Sequence, residues 1–189
     1  MSEFNPWKAR FCPVTRKPII TREIWSSKNP TYSVTFFLVG NDVILSRGQG
    51  RSDKGGLDRY LTTFERMLDD LGAQVDSYYL IEDLSEMVDS SSENRKGYGR
   101  YMSANKRLKG IFFTNSTQKF RIMINLGKAT FAVKFPVSVA KDYEDAINSI
   151  QQIESKGLRD TAQPIIKSEQ RNVKDYLAQG PPRIGAHAD

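Results

Sequence analysis

The alternation of apolar and polar positions in the first third of the chain predicts a β-hairpin. Residues 32–39 are β-branched and aromatic, residues 40–42 have the composition of a turn, and residues 43–47 are again rich in strand formers. Phe36 and Phe37 are adjacent and therefore point to opposite faces of the first strand. We expect helices to cover one face and the N-terminal segment to cover the other.

After the hairpin, the apolar period changes from two to about 3.6 residues. A stripe of large apolar side chains at three- and four-residue spacing predicts a helix that ends at Gly72. Later helices are predicted over residues 93–108, over residues 117–126, and after a cap at Ser138. Short apolar runs predict strands over residues 78–82, 110–114 and 131–135, the last of them ended by Pro136.

This order of elements predicts an α/β fold. A hairpin followed by alternating helices and strands favours right-handed crossovers and a mixed, mostly parallel sheet packed by about four helices. We expect an irregular N-terminal arm over residues 1–29 that packs on the domain, and one α/β domain over residues 30–157. A polar and partly disordered C-terminal extension is expected over residues 158–189.

Composition narrows the class of protein. The net charge of +6 permits an acidic partner, but the basic residues are scattered, and the densest group, residues 95–107, has the spacing of an amphipathic helix with a solvated basic face. Nucleic-acid binding is therefore not favoured. No apolar run approaches the roughly 20 residues of a membrane span, and no secretory signal is visible. The single cysteine, Cys12, fits a reducing compartment, so we expect a cytoplasmic protein.

The sequence offers no residue set for common catalytic or metal chemistry. Cys12 and His187 are the only cysteine and histidine, and His187 stands in a Gly/Ala-rich terminal stretch. Glu82 and Asp83 are adjacent in a predicted strand, so their side chains point to opposite faces and cannot form one acid-base pair. We predict neither enzymatic activity nor a bound cofactor or metal.

A serine-rich segment is expected to begin the helix predicted after residue 92. Ser90 and Glu93 have the spacing of a capping box, in which the hydroxyl accepts a backbone N–H and the carboxylate reaches back. A phosphate on Ser90 or Ser91 would meet the free N–H groups of the helix start and would change the charge of the surface. The candidate partner or phosphorylation residues are Asp89, Ser90, Ser91 and Ser92.

A basic, glycine-rich segment lies between the hairpin and the first helix. It matches neither the dinucleotide fingerprint nor the P-loop, because Asp53 stands where a third glycine is required and no Gly-Lys-Ser/Thr follows. A flexible basic turn is the simpler interpretation. The alternative is an anion contact made by Arg47, Arg51 and Lys54.

Residues 78–94 resemble STAS domains, the family of anti-sigma-factor antagonists and sulfate-transporter tails. The resemblance covers a buried strand, an Asp-Leu-Ser turn at residues 83–85 and an Asp-Ser-Ser helix start at residues 89–91. The order of elements over residues 32–153 is also similar. The family helix start is usually Asp-Ser-Ser-Gly, whereas this chain has Ser92 at the fourth position. The resemblance implies a STAS-like fold and regulation through protein contact.

A closer resemblance is to N-terminal domains of bacterial sensory proteins that precede PAS or histidine-kinase modules. The shared motifs are Cys-Pro-Val-Thr at residues 12–15, Trp-Ser at 25–26, Tyr-Ser-Val-Thr-Phe at 32–36, Lys-Phe-Pro-Val at 134–137 and Asp-Tyr-Glu at 142–144. This sequence contains no phosphoacceptor helix and no kinase core. The resemblance therefore implies a signalling module without a kinase of its own.

These observations predict a non-catalytic signalling or regulatory module that contacts a protein, such as a signalling kinase or a regulator, through its face at residues 89–97. A homodimer is also compatible with the sequence. The alternative is a small-molecule sensor whose apolar pocket lies between the sheet and the arm that carries Trp7, Phe11 and Trp25. A basic adaptor for nucleic acid is a third possibility.

Overall fold

The computed structural model describes residues 5–53, 55–131 and 133–155. Its strands are β1 (Ile19–Ile20), β2 (Ser26–Lys28), β3 (Tyr32–Val39), β4 (Val43–Ser52), β5 (Tyr78–Ser90), β6 (Leu108–Thr114) and β7 (Val137–Val139). Its α-helices are α1 (Gly56–Leu71), α2 (Ser92–Ala104), α3 (Gln118–Phe131) and α4 (Tyr143–Ser155). Two short 3-10 turns, Glu23–Trp25 and Gly72–Gln74, complete the secondary structure of these residues.

The seven strands form one sheet in the order β1-β3-β4-β5-β6-β7, with β2 also paired to β3. Strand β3 is antiparallel to β1, β2 and β4, whereas β4, β5, β6 and β7 pair in parallel. The predicted α/β class, the mixed sheet and the order of elements after the hairpin are confirmed. One detail was wrong: the hairpin is not the margin of the sheet, because β1 and β2 pair with its outer strand.

Both faces of the sheet are covered by helices, and the N-terminal arm contributes to both cores, so the expected division between helices on one face and the arm on the other was wrong. Helices α1 and α2 enclose a core that includes the fully buried Phe36 and Phe64. Helix α4 and the arm enclose a second core that includes Ile81. Adjacent residues of β3 point to opposite faces, so Phe36 lies in the first core and Phe37 lies at the second. There Phe37 packs on the Trp7 ring, with ring centroids 5.1 Å apart. The boundaries at residues 29 and 157 stay predictions, and the extension at 158–189 lies outside the described residues.

Helix α1 is the element that the sequence specifies most strongly. Its predicted apolar stripe is buried against the sheet, and each large side chain contributes roughly 1.5–3 kcal/mol through removal from water. Gly72 ends the helix with φ of +52°, and its N–H donates to the Leu68 carbonyl. The buried stripe consists of Tyr60, Leu61, Phe64, Met67, Leu68 and Leu71.

Strands β4 and β5 are longer than the sequence predicted. Strand β4 continues to Ser52, and β5 continues to Ser90, so the Asp-Leu-Ser segment at residues 83–85 is strand and not turn. Parallel pairing extends as far as Ser52 opposite Ser90, with register shifts at Arg47/Gln49 and Gly50/Arg51. Strands with irregular pairing have no simple repeat of apolar residues, so the sequence pattern did not predict how far β4 and β5 extend.

The last strand also differs from its prediction. The strand expected at residues 131–135 is not formed by the described residues of that range, since residue 131 ends α3 and residues 133–135 are outside any strand. The strand lies after Pro136, where the Pro136 carbonyl accepts from the Ile111 N–H at 2.9 Å and Val137–Val139 pairs with β6. Ser138 therefore lies in β7 and caps no helix. Asp142 has that role at α4, since its carboxylate accepts from the Asp145 N–H at 2.9 Å.

Helix α3 runs through Gly127 rather than ending there. Of the helices in the described ranges, none combines the length and the apolarity required to cross a bilayer.

Candidate functional site

The serine-rich corner predicted from the sequence is the junction of β5 and α2. The helix cap is Ser91, whose hydroxyl accepts from the Asn94 N–H at 3.1 Å. The predicted capping box of Ser90 and Glu93 was wrong by one residue, because Ser90 is still paired in β5. Ser90 contributes its backbone groups, with its N–H donating to the Asp89 carboxylate at 2.9 Å and its carbonyl accepting from Arg95.

Asn94 fixes this corner to the end of β4. Its side-chain amide is buried and donates to the Ser52 carbonyl at 3.0 Å, to the Ser52 hydroxyl at 2.9 Å and to the Asp53 carbonyl at 2.7 Å. The Ser91 N–H also donates to the Ser52 carbonyl. The start of α2 therefore has a fixed position relative to the sheet, and no local sequence pattern predicts this contact.

An ion pair joins the same corner to α3. Lys119 Nζ lies 2.9 Å from Asp89 Oδ1, and the Lys119 ammonium, followed by the Ser90 backbone N–H, lowers the pKa of Asp89. Two large apolar side chains close to this pair along the chain are exposed: Val88, directly before Asp89, at 64%, and Ile122, in the same helix as Lys119, at 55%. Ile122 is three residues after Lys119 and lies on the same side of the helix. We call Val88, Asp89, Ser92, Lys119 and Ile122 the β5–α3 surface.

The predicted anion contact was expected in a flexible basic turn, but Arg47 and Arg51 lie in a strand. Residues 47–52 belong to β4, and Arg47 already has an ion pair with Glu86 and lies over the Trp7 ring at 5.2 Å from its centroid. Arg51 is exposed and pairs in register with Asp89. Lys54 lies outside the described residues. An anion contact at Arg51 stays a prediction.

Glu82 is the centre of a buried polar cluster on the α1 and α2 face of β5. Its side chain is 6% exposed. Its carboxylate accepts from the Tyr60 hydroxyl at 2.5 Å, from the Tyr98 hydroxyl at 2.7 Å and from Ser46. These donors come from α1, α2 and β4. Asp83 alternates to the opposite side, where the Asn115 amide donates to it at 3.0 Å, so the two acids are separated as expected.

The cluster sets the protonation of its members. Burial raises the pKa of the Glu82 carboxyl, and the hydroxyl donors act in the opposite direction. Burial, followed by the Glu82 charge, raises the pKa values of Tyr60 and Tyr98 well above the ordinary tyrosine value. Both phenols therefore remain hydrogen-bond donors at neutral pH.

A cavity of about 350 Å³ lies beside this cluster, between the sheet and helices α2 and α3. Glu82, Tyr60 and Tyr98 contribute to its wall together with mostly apolar side chains. Those apolar side chains include Leu84, Met87, Ile111, Phe113, Phe120, Met123 and Ile124. The exposed Lys96, Leu126 and Lys128 are also part of the lining and therefore mark its opening to solvent.

No family model and no curated protein matches this chain. Two solved structures are similar to it in fold. One is the anti-sigma factor antagonist SpoIIAA in its unphosphorylated form, with 14% sequence identity and a TM-score of 0.44 over 62% of this chain and 97% of that chain. The other is an uncharacterized protein of the DUF3478 family with a SpoIIAA-like fold from Shewanella loihica PV-4, with 12% identity and a TM-score of 0.47 over 65% and 97%. The resemblance to bacterial sensory proteins stays a prediction.

The small-molecule pocket predicted between the sheet and the arm stays a prediction, and the three aromatic side chains named for it do not lie together. Trp25 is fully buried against α1, Trp7 packs on the other face of the sheet, and Phe11 is 60% exposed. A second cavity does contact the arm, but Val14 and Lys17 line it together with α4, without these three aromatic residues. The cavity lined by a buried acidic side chain is the one beside Glu82.

Cys12 is buried, and its Sγ accepts from the Thr15 N–H at 3.4 Å. His187 lies outside the described residues. Within the described ranges, no three His, Cys, Asp or Glu side chains are grouped so that they could hold a metal ion.

Sequence reasoning missed the Glu82 cluster, although one signal was present. Glu82 directly follows the apolar run of residues 78–81, and an acid in a buried strand requires hydrogen-bond donors. The donors themselves are 16, 22 and 36 residues away along the chain. Only the packing of α1 and α2 on the sheet brings them together.

Proposed function

We propose that the protein is a non-catalytic regulatory module that works in the cytoplasm by binding a partner protein through the β5–α3 surface. The observation that carries the proposal is the exposure of Val88 and Ile122, each close along the chain to a member of the Asp89–Lys119 ion pair. Large exposed apolar side chains with charged neighbours are typical of sites where proteins bind each other.

The rigidity of the corner supports this proposal. Asn94 ties the first turn of α2 to the end of β4, and the ion pair ties the end of β5 to α3. A surface held by such contacts loses little conformational entropy when a partner binds. The exposed Ser92 and Glu93 add polar groups at its border.

Phosphorylation of the serine cluster would regulate this contact. Ser91 is the residue whose oxygen already accepts from a helix N–H, so a phosphate there would lie at the positive end of the α2 dipole. Arg95 and Lys96 follow within the first turns, whereas Asp89 and Glu93 would oppose the added charge. Mass spectrometry of the protein isolated from its native host, with Ser90→Ala, Ser91→Ala and Ser92→Ala variants for comparison, identifies the modified position.

Site-specific photo-crosslinking tests the proposed surface. A photoreactive residue is placed at Val88, at Ile122 and, as a control, at Ile24, which is 45% exposed in the N-terminal arm. We expect one and the same protein to be crosslinked in cells from Val88 and Ile122 and not from Ile24. A crosslink to a second copy of this chain identifies the partner as itself and establishes a homodimer.

A substitution pair completes the test. We expect Val88→Glu to abolish capture of the crosslinked partner at Ile122, because a charge is then buried in the contact, and Ile24→Glu to leave capture unchanged. Equal capture from all three positions, or none from any of them in the native host, would overturn the proposal.

A further inference from the structure

The Glu82 carboxyl group is buried and has no basic side chain as a partner among the described residues. Among the described residues, its hydrogen-bond partners are three neutral hydroxyls, and no lysine or arginine forms an ion pair with it. Buried carboxylates are normally paired with a cation or bound to a metal, because the loss of hydration is costly. This carboxylate lies at the wall of a cavity that opens to solvent.

The cavity has the general character of a small-molecule site. Its volume of about 350 Å³ falls in the range of ligand pockets, roughly 300–1,000 Å³, and its lining is largely apolar with a few polar groups in one place. Tyr60 and Tyr98 contribute aromatic rings next to the carboxylate, with ring centroids 5.7 Å apart. Aromatic rings beside a carboxylate form a favourable environment for an organic cation.

We infer that this cavity binds a small apolar amine, whose ammonium group pairs with Glu82 while its apolar body fills the space between α2 and α3. The ammonium supplies the positive charge that the protein does not provide at this position. Glu82 has one oxygen, Oε1, that accepts from both phenols, whereas Oε2 accepts from Ser46 alone. A carboxylate oxygen can accept two hydrogen bonds, so Oε2 retains capacity for an N–H donor of the ligand.

The opening of the cavity restricts the outer end of the ligand. Lys96 and Lys128 are exposed at the lining, and Arg95 also contributes to it. A second positive charge at that end would be repelled, so the outer end is neutral or acidic. The site therefore distinguishes a monoamine from a diamine as well as an amine from an acid.

Three probes of the same apolar shape test the ligand class on the unmodified protein. They are phenethylamine, phenethyl alcohol and phenylacetate, measured by isothermal titration and by thermal shift at neutral pH. We expect the amine to bind at least about tenfold more tightly than the alcohol, because a hydrogen bond between charged groups is stronger than a neutral one. We expect phenylacetate to bind more weakly than the alcohol.

Two carboxylate-to-amide variants then assign the amine to Glu82. Glu82→Gln keeps the size and the acceptor oxygen but removes the charge, so we expect it to lose the preference for the amine over the alcohol. Glu65→Gln is the matched control, because Glu65 also accepts a tyrosine hydroxyl, that of Tyr101, and lies outside the cavity lining. It should retain the preference.

Several results would overturn the ligand class. They are no binding of any probe up to millimolar concentration, equal affinity for amine and alcohol, tighter binding of phenylacetate, and equal loss of preference in Glu82→Gln and Glu65→Gln. Of the residues that define the β5–α3 surface, Ser92 also lines the cavity, whereas Val88 does not. The Val88→Glu variant should therefore lose the protein partner and still bind the amine.

Discussion

The indole N–H of Trp25 donates to Asp70 Oδ2 at 2.8 Å, which ties the N-terminal arm to the last turn of α1. Arg22 Nη1 reaches the same carboxylate oxygen at 2.7 Å. The Trp25 ring is fully buried, so the arm contributes to the core and is not a loosely attached extension.

Trp25→Ala should therefore destabilise the whole domain. We expect a loss of about 3–5 kcal/mol in the free energy of unfolding, because the substitution leaves a large cavity and removes one of the two side-chain donors to Asp70. Urea denaturation followed by circular dichroism measures it. Phe11→Ala, in the same arm but at a largely exposed side chain, is the control and should change stability by no more than about 0.5 kcal/mol. Similar losses for both variants would contradict the assigned role of Trp25.

Alanine substitutions at Gly50 and Gly55 separate the cost of backbone strain from the cost of a steric clash. Both have positive φ, +90° and +88°. A Cβ on Gly50 would lie 2.3 Å from the Thr31 carbonyl oxygen, whereas a Cβ on Gly55 would meet nothing within 4 Å. We expect Gly55→Ala to cost about 1–2 kcal/mol from backbone strain alone. Gly50→Ala should cost about 2–5 kcal/mol, because overpacking against backbone is added. Equal losses in the free energy of unfolding, measured by chemical denaturation, would show that the strand end at Gly50 moves away from Thr31 without cost.

The position of the α2 cap can be tested with two neighbouring serines. Ser91→Ala removes the oxygen that accepts from the Asn94 N–H, and we expect a loss of about 0.5–2 kcal/mol. Ser90→Ala leaves the backbone hydrogen bonds of Ser90 in place and should cost no more than about 0.5 kcal/mol. The reverse order of the two losses, measured by urea unfolding, would restore the capping box predicted from the sequence.

Glu82 should make stability depend on pH. Its folded-state pKa is raised above the ordinary 4.5, so between these two values the folded protein binds more protons than the unfolded chain. Stability consequently falls as pH rises through this window, by at most about 1.4 kcal/mol per pH unit. Glu82→Gln lacks this contribution. The difference in unfolding free energy, wild type minus Glu82→Gln, should decrease from about pH 5 upward and become constant above the folded-state pKa. Parallel curves for the two proteins would refute a raised pKa at Glu82.

The sequence was most informative where one local pattern determines the structure. The stripe that contains Phe64 and Leu68 has a single buried arrangement as a helix, and Gly72 marks its end. It was less informative where the hydrogen bonds to a neighbouring strand, rather than the local side chains, determine which residues form a strand. Residues 131–135 have strand-like side chains, but the Ile111 N–H pairs with the Pro136 carbonyl, and β7 therefore begins after the proline.

The candidate site was predicted in part. The change from strand to helix within residues 89–92 was predicted, because serine and aspartate at such positions satisfy free N–H groups, but the cap is Ser91 and not Ser90. The exposure of Val88 and the ion pair between Asp89 and Lys119 depend on how α3 packs, which no local pattern encodes. The same reason applies to Glu82, whose hydroxyl donors come from three other elements.

The outermost strands of the sheet are very short. In the described part of the chain, β1 has two residues, and β2 and β7 have three each. Such margins offer few unpaired amides and carbonyls, so they are poor templates for a foreign strand and protect the protein against edge-to-edge aggregation. A polypeptide bound at these margins would have to rely on side-chain complementarity rather than on extension of the backbone ladder.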